Sequence, residues 1–328
     1  MQSGSCVNVP SKEEEAAYRI GKLAYGALLE EVYTLPKPGL VDPYSNGAHT
    51  DMNVVSFERS AKALKPYFVT MALEGERLWE APPVLFETIR RIGILAERAM
   101  YQATGGVNTH KGLVFHLGIL CGAAGACHRT FGKITLKQLI EMEQAMVRDV
   151  LVKEVQSMDH FVSKGEKNLE KYGLTGARGE AISGYSSVFH ISLPVMTAGL
   201  YKGQEWNSIK LETLFHLMSQ VDDSNILSRH NPVVLKQVKD IAARFIEDGG
   251  AYRKESLFLL KEMDQWFVEK NISAGGSADL LAVTIFLTQL TGKWGGAYGI
   301  HETGRETFPG ERAGTVEGIS YLKSIGLR

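Results

Sequence analysis

The sequence predicts an all-α protein, a single large globular domain built from many helices. Apolar residues recur with a period near 3.6 along almost the whole chain, whereas alternating β-branched runs bounded by turns are rare. Helix-start and helix-stop signals also recur, and they indicate roughly ten to twelve helices with the functional residues in the loops at their N-termini. At 328 residues the chain is long enough to bury a large core.

These signals follow one another in chain order. Ser11 and Glu14 have the spacing of a capping box and open a first helix that runs to about Val32. Further starts are predicted at Pro82-Pro83, at Thr135 with Gln138 (a long helix ending near Gln156), at Asn231-Pro232 and at Gly276-Ser277, and Gly249-Gly250 predicts a stop. The apolar run 112–127 is shorter than a membrane span and rich in glycine and alanine, so it predicts a closely packed central helix.

The ends of the chain differ from its middle. We expect residues 1–10 to be a disordered N-terminus and residues 11–292 to form the helical domain. In the C-terminal extension 293–328, two loop-like, glycine-bearing stretches precede a short amphipathic ending at 316–325. The extension could pack as a lid or serve a contact in a homo-oligomer, and both alternatives stay open.

Charge and cysteine content exclude several classes of protein. The net charge is −1, which gives no field for binding nucleic acid. The N-terminus lacks a basic start followed by an apolar stretch, so neither a secretory signal nor a membrane segment is expected. Cys6, Cys121 and Cys127 are too few for a disulfide framework, and the last two are predicted to be small buried thiols. We expect a cytoplasmic protein.

The segment 104–112, Thr-Gly-Gly-Val-Asn-Thr-His-Lys-Gly, is the most informative motif. Gly105 and Gly106 allow positive φ and close approach of a ligand, and the apolar run that follows predicts a helix. Backbone N–H groups at that helix start, beside Lys111, suit a polyphosphate, although neither a Walker A motif nor Gly-x-Gly-x-x-Gly occurs. The simpler interpretation is local: Thr109 is the N-cap, His110 is internally satisfied and Lys111 is solvated.

Five further polar junctions lie beside predicted helices, at 31–42, 47–52, 172–180, 222–225 and 273–279. In this order the junctions resemble those of the triphosphoribosyl-dephospho-CoA synthase family. Its most specific matches here are Pro-Lys-Pro-Gly-Leu-Val-Asp at 36–42, Gly-Val-Asn-Thr-His-Lys-Gly at 106–112 and Gly-Gly-Ser-Ala-Asp-Leu-Leu at 275–281. The resemblance covers most of the predicted helical domain.

The resemblance implies transfer of the 5-triphosphoribosyl unit of ATP to the 2′-hydroxyl of 3′-dephospho-CoA, with release of adenine. The product is the prosthetic-group precursor of citrate lyase or malonate decarboxylase and passes to an acyl-carrier-protein transferase; the sequence leaves the choice of pathway open. Such a glycosyl transfer needs a base for the hydroxyl, a carboxylate near the anomeric carbon and a proton for adenine. The intact triphosphate needs Mg²⁺ and cationic side chains.

The motifs supply residues of these types. Glu180, in Arg178-Gly-Glu180, is the candidate base, and Asp42 and His110 complete the predicted catalytic set. The predicted ligands of ATP and its phosphates are Lys37, Gly105, Gly106, Asn108, Thr109, Lys111, Arg178, Arg229, Gly275, Gly276 and Ser277. Lys37 stands between two prolines that stiffen the segment, although a lysine in a surface turn would look the same.

Four carboxylates are the predicted Mg²⁺ ligands, because a hard cation prefers oxygen: Asp42, Asp51, Asp222 and Asp223. Three further residues are site candidates: His49, Asn225 and Asp279. Structural alternatives stand beside these assignments. Asp51 could cap the helix through Phe57, the Asp222-Asp223 pair could be a solvated helix end, and Asp279 could complement a helix dipole.

Two other functions fit the same residues. One is an all-helical, metal-dependent hydrolase of nucleotides or N-glycosides, with water as the nucleophile; the other is a non-catalytic nucleotide sensor. His-x-x-x-His, Cys-x-x-Cys and Gly-x-Ser-x-Gly do not occur, so zinc and serine hydrolysis have little support. Adenine release that requires dephospho-CoA would select the transferase.

Overall fold

The computed structural model describes residues 11–157 and 164–292. In these ranges the chain forms thirteen α-helices and no β-strand, which confirms the predicted all-α class. The helices are α1 (Lys12–Val32), α2 (Val54–Arg77), α3 (Pro82–Ala103), α4 (Lys111–Phe131), α5 (Leu136–Gln156), α6 (Lys164–Tyr172), α7 (Gly176–Ile182), α8 (Leu193–Tyr201), α9 (Trp206–Gln220), α10 (Ser224–Arg229), α11 (Pro232–Glu247), α12 (Ser256–Glu269) and α13 (Gly275–Leu290), with a π-helical turn at Val188–Ser192 and a 3₁₀ turn at Gly250–Tyr252.

The predicted helix starts agree with the observed ones. Ser11 and Glu14 form both bonds of a capping box at the start of α1, Thr135 accepts the Gln138 N–H at the start of α5, and Asn231 caps α11. The count exceeds the expected ten to twelve. Four short helices, α6, α7, α8 and α10, account for the difference, because each has fewer than ten residues and therefore too few turns to show a clear period.

The core centres on α4, which packs against α1, α2, α3 and α5 and touches α13. Almost every residue of α4 from Leu113 to Cys127 is buried. A Cβ on Gly75 of α2 or on Gly125 of α4 would overlap backbone atoms of the other helix. Only glycine permits this close approach, so the predicted tightly packed central helix is confirmed. Cys121 and Cys127 are buried free thiols, as expected.

The second half of the domain packs α9 against α11, α8 and α13, and α13 in turn contacts α1. The two halves therefore meet along α1, α4 and α13. None of the helices in the described residues combines the length and apolarity needed to span a bilayer. The expectations for 1–10 and 293–328 lie outside the described residues, so the domain boundaries remain predictions.

Candidate active site

A deep cleft of about 1210 Å³ opens between the two halves of the domain. Its lining comes from the side of α3, the first turns of α4, the segment from α6 to α7, and the starts of α10 and α13. Four helix N-termini therefore face one cavity. Helix N-termini carry positive dipole ends, so the cleft suits a ligand with anionic groups.

The first turn of α4 contributes Asn108, Thr109, His110 and Lys111 to the lining. Asn108 Oδ1 accepts a hydrogen bond from the Lys111 N–H at 3.1 Å, so Asn108 rather than Thr109 satisfies this helix start. The Lys111 ammonium lies 3.1 Å from Glu97 on α3 and is half exposed. Gly105 and Gly106 have positive φ, as predicted, but they do not line the cleft.

His110 is almost fully buried. Its Nδ1 lies 2.6 Å from the Ser60 hydroxyl on α2, and its ring meets Phe57 edge to face. Burial, assisted by the positive charge of Lys37, lowers the pKa of His110 to about 3, so the imidazole is neutral. His110 Nε2 and Thr109 Oγ1 are enclosed and find no hydrogen-bond partner among the described residues.

The segment 36–51 is tied to its own surroundings. The Lys37 ammonium is buried, pairs with the Glu31 carboxylate and donates to the Glu31 carbonyl at 2.6 Å. Asp42 accepts the N–H groups of Lys37, Tyr44 and Ser45 at 2.8–3.2 Å. Lys37, Asp42 and Asp51 do not line the cleft, although Glu31 does.

His49 and Arg229 form a polar pair on the cleft wall. The Arg229 guanidinium donates to the Ala48 carbonyl at 2.9 Å and lies 3.1 Å from His49 Nδ1, and His49 Nε2 lies 3.1 Å from the Ser273 hydroxyl. Burial lowers the pKa of Arg229, and the negative charge of Asp51 partly offsets this effect. Asp51 is exposed at 4.0 Å from His49, and Asn53, not Asp51, caps α2.

Asp223 joins the starts of two helices. Its Oδ1 accepts the N–H groups of Asn225 and Ile226 in α10, and its Oδ2 accepts the N–H and hydroxyl of Ser277 in α13. A Cβ on Gly276 would lie 3.1 Å from Asp223 Oδ1, so glycine leaves room for this carboxylate. Asp222 is about half exposed and pairs with Lys239 at 2.5 Å. The two neighbours thus have different surroundings.

Asp279 lies on α13 against the first turn of α4, and a Cβ on Gly112 would overlap its carboxyl group. Burial raises the pKa of Asp279 well above its usual value, and the negative charges of Glu31 and Asp223 raise it further. Glu31 is compensated by Lys37, and Asp223 by N–H and hydroxyl donors. Asp279 has no hydrogen bond to any described residue.

Glu180, on α7, also lines the cleft. Its Oε1 accepts the Ser187 hydroxyl at 2.5 Å, and its enclosed Oε2 has no partner within the described ranges. Burial raises the pKa of Glu180. The hydrogen bonds from Ser187 lower it, but the effect of burial is larger. The neighbouring Arg178 pairs with Glu166 of α6 at 3.3 Å. Both charged partners line the same cleft.

The fold therefore gathers most of the predicted site residues at the cleft. The site residues that line it are His49, Asn108, Thr109, His110, Lys111, Arg178, Glu180, Asp222, Asp223, Asn225, Arg229, Gly275, Gly276 and Asp279. Sequence reasoning missed Glu31, Ser60 and Glu166, which sit inside regular helices and carry no local signal. In the parts of the chain that are described, no three His, Cys, Asp or Glu side chains are grouped to hold a metal ion.

Fold and cleft together define a class of protein: an all-helical enzyme whose site, assembled from helix N-termini, has room for a large nucleotide ligand. The sequence profile described as CitG, ATP:dephospho-CoA triphosphoribosyl transferase, matches residues 17–297. The chain belongs to this family.

Individual relatives agree with the profile. A probable 2-(5''-triphosphoribosyl)-3'-dephosphocoenzyme-A synthase of Vibrio cholerae is 39% identical over 83% of this chain and 88% of its own length. The 2-(5''-triphosphoribosyl)-3'-dephosphocoenzyme-A synthase of Klebsiella pneumoniae is 39% identical over 80% of this chain and 87% of its own length. A probable synthase of the same name from Photobacterium profundum is 37% identical over 83% and 87%. No solved structure matches the chain.

Proposed function

We propose that this chain transfers the 5-triphosphoribosyl group of ATP to the 2′-hydroxyl of 3′-dephospho-CoA and releases adenine. The bond from the anomeric carbon to adenine breaks, a bond to the hydroxyl oxygen forms, and the hydroxyl proton is balanced by the proton that adenine gains. The family match along 17–297 carries this proposal. The cleft supports it, because about 1210 Å³ exceeds the ~300–1,000 Å³ of sites for one small ligand.

Glu180 is the proposed base for the attacking hydroxyl. One of its oxygens is held by Ser187, which favours the carboxylate form and fixes its direction. The other oxygen is the unpartnered Oε2, which is free to accept a substrate proton. A positioned base of this kind contributes roughly 10²–10⁴-fold in rate.

Asp279 is the proposed proton donor to the departing adenine. Its carboxyl lines the cleft and has no competing hydrogen bond from the described residues. Burial and two neighbouring carboxylates raise the pKa of Asp279, which favours its protonated form. We assign this role to Asp279 rather than to His110, because the lowered pKa of His110 leaves the imidazole without a second proton to give.

The triphosphate is proposed to contact Arg178, Arg229 and Lys111, three cleft cations on three different helices. Mg²⁺ is expected with ATP, and it commonly binds one or two carboxylates while phosphates and waters complete its shell. Asp222 fits this need best of the four predicted ligands, since it lines the cleft and is about half exposed. Asp223 and Asp42 already accept several hydrogen bonds.

We further propose that the reaction takes place in the cytoplasm and that the product passes to an acyl-carrier-protein transferase. The product is the expected prosthetic-group precursor of citrate lyase or malonate decarboxylase.

Adenine release tests the proposed function. Purified protein, ATP and Mg²⁺ are incubated with and without dephospho-CoA, and adenine is measured by chromatography. Release only in the presence of dephospho-CoA supports the transferase. Release without it would indicate a hydrolase, and ATP binding without turnover would indicate a sensor.

The stereochemistry of the product tests the roles of the residues. With both nucleotides bound, the hydroxyl can attack the face of ribose opposite to adenine in one displacement, so the β bond of ATP becomes an α bond. Nuclear magnetic resonance of the product reads this configuration. A retained β bond, or a ribosyl adduct trapped on Glu180, would show that Glu180 is a nucleophile and not a base.

A further inference from the structure

Two side-chain atoms at the start of α4 are prepared for a ligand. Thr109 Oγ1 and His110 Nε2 are both enclosed and without a hydrogen-bond partner in the described part of the chain, and both residues line the cleft. An unpaired buried polar atom costs about 1–3 kcal/mol, so folded proteins rarely keep one without a use. Two adjacent ones in a cleft indicate a bound group that completes them.

The His110 ring cannot turn to find another partner. Ser60 holds its Nδ1 at 2.6 Å, Phe57 packs against the ring at a centroid distance of 4.8 Å, and the His110 backbone N–H lies 3.3 Å from the Met100 sulfur. These contacts come from α2 and α3. The free Nε2 is therefore fixed in position before any ligand arrives, which is what selective hydrogen bonding requires.

The two unpartnered atoms themselves carry no charge. Burial lowers the pKa of His110 to about 3, so the imidazole offers a neutral donor or acceptor and no positive charge. The threonine hydroxyl is neutral too, and the Lys111 ammonium is paired with Glu97 on α3. Apolar side chains nearby in the lining include Phe57, Leu113 and Val114. Neutral polar atoms beside apolar walls fit a heterocyclic base better than a phosphate.

We propose that Thr109 Oγ1 and His110 Nε2 recognise the polar edge of an adenine base and so determine base specificity in the cleft. This inference rests on the proposed function, because both proposed substrates, ATP and dephospho-CoA, carry adenine. It assigns these two neutral atoms to a base and leaves the phosphates to the cationic side chains, Lys111 among them. Ser60 acts as a positioning residue, since it contacts the imidazole and not the ligand.

Thr109→Val is the sharpest test, because valine keeps the shape of threonine and removes only the hydroxyl. Affinities for ATP and for dephospho-CoA are measured separately by calorimetry, without turnover. We expect one of them to weaken about tenfold, the size of one hydrogen bond. Loss for ATP places the base of ATP here, and loss for dephospho-CoA places the other adenine here. Thr213→Val is the control: Thr213 is buried, bonds within α9 and does not line the cleft.

Ligand analogues show whether the contact is to the base. Four analogues of the affected nucleotide each lack one polar group of adenine: the 6-amino group, N1, N3 or N7. For at least one analogue the tenfold difference between wild type and Thr109→Val should disappear, because the partner atom is already missing. If the difference persists for all four, the hydroxyl contacts sugar or phosphate and the proposal is wrong. Unchanged affinity for both nucleotides overturns it as well.

His110→Asn and His110→Gln are a pair of variants that test the His110 contact. Asparagine places an amide near the position of Nδ1 and loses the atom at Nε2, whereas glutamine reaches the position of Nε2. Glutamine should retain more base discrimination than asparagine, and the reverse order would contradict the proposal. If either His110 variant does not fold, Thr109→Val and the four analogues decide the question. Adenine release by wild type, measured separately, shows whether the transferase function itself holds.

Discussion

The segment 36–51 and the start of α4 both carry polar motif residues, yet the fold uses them in opposite ways. In 36–51, Lys37 is paired with Glu31, and Asp42 is bound by three N–H groups of its own loop. At the start of α4, Thr109 and His110 keep atoms without a partner in the described structure. Residues of the first kind have their polar atoms bound within the protein, and residues of the second kind are available to a substrate. Changes in the first region should therefore lower stability, and changes in the second should lower activity or affinity.

Asp279 gives the largest expected effect, as a residue of the second kind. Asp279→Asn should lower kcat by roughly 10²–10⁴-fold, the usual contribution of a positioned acid. Stability should stay equal or rise, because a neutral amide avoids burying a carboxyl group whose pKa is raised well above its usual value. Adenine release and urea unfolding measure the two quantities.

Asp223→Asn is the matched control for Asp279. The amide cannot accept all the bonds that now reach Asp223 from α10 and α13, so this variant should lose about 1–3 kcal/mol of stability. Near-normal turnover in Asp279→Asn would remove this residue from the proton transfer and would weaken the contrast between the two kinds of residue.

Lys37 tests the other side of the comparison. Lys37→Met leaves the Glu31 carboxylate buried without its cation, and breaking a buried ion pair costs about 3–5 kcal/mol. Urea unfolding should show this loss, and the double variant Lys37→Met with Glu31→Gln should recover part of it. A stable Lys37→Met variant that loses ATP affinity would show instead that Lys37 leaves Glu31 to bind phosphate, as the sequence predicts.

Helix positions could be predicted because their signals are local. The Ser11–Glu14 capping box and the Asn231-Pro232 start depend on neighbouring residues, and the structure places both as expected. The Asn53–Ser56 capping box of α2 is an equally local signal, and it replaces the cap considered for Asp51. The short α7 and α10 gave no periodic signal, although their glycine-bearing or acidic starts were recognised as functional junctions.

The site could be predicted only as a set of segments. Which motif residues face the cleft depends on contacts between distant helices, such as Asp223 with Ser277 and Lys37 with Glu31. Glu31 is the clearest omission, since it looks like any acidic residue near a helix end yet borders the cleft beside Asp279. Burial also decides protonation, and no spacing in the sequence shows that His110 is neutral.

Glu143 extends the comparison to a buried carboxyl outside the cleft lining. It is fully buried on α5, and burial raises its pKa from 4.5 to about 8. The folded state therefore binds this proton more tightly than the unfolded state, so stability falls as pH rises from about 4.5 to 8. Each pKa unit corresponds to about 1.4 kcal/mol, which predicts a loss of a few kcal/mol over that window.

Glu143→Gln should remove this pH dependence. Urea unfolding between pH 5 and 8 should give a flatter profile for the variant and a clear stabilisation over wild type at pH 8. The exposed Glu141 on the same helix supplies the control, because Glu141→Gln should leave the profile of the wild type unchanged. Parallel profiles for wild type and Glu143→Gln would show that Glu143 is not the group that titrates.

Lys111 gives the smallest expected effect and sharpens the division within the start of α4. Its ammonium is half exposed and pairs with Glu97, a contact worth at most about 1 kcal/mol of stability. Lys111→Ala should thus leave unfolding nearly unchanged but weaken ATP binding by about 1.5–3 kcal/mol, the value of one charged phosphate contact. Glu97→Gln is the control, because it frees Lys111 and should keep or improve ATP affinity. If Lys111→Ala binds and uses ATP like wild type, the start of α4 contacts no phosphate, and only its neutral atoms, Thr109 Oγ1 and His110 Nε2, remain as ligand contacts there.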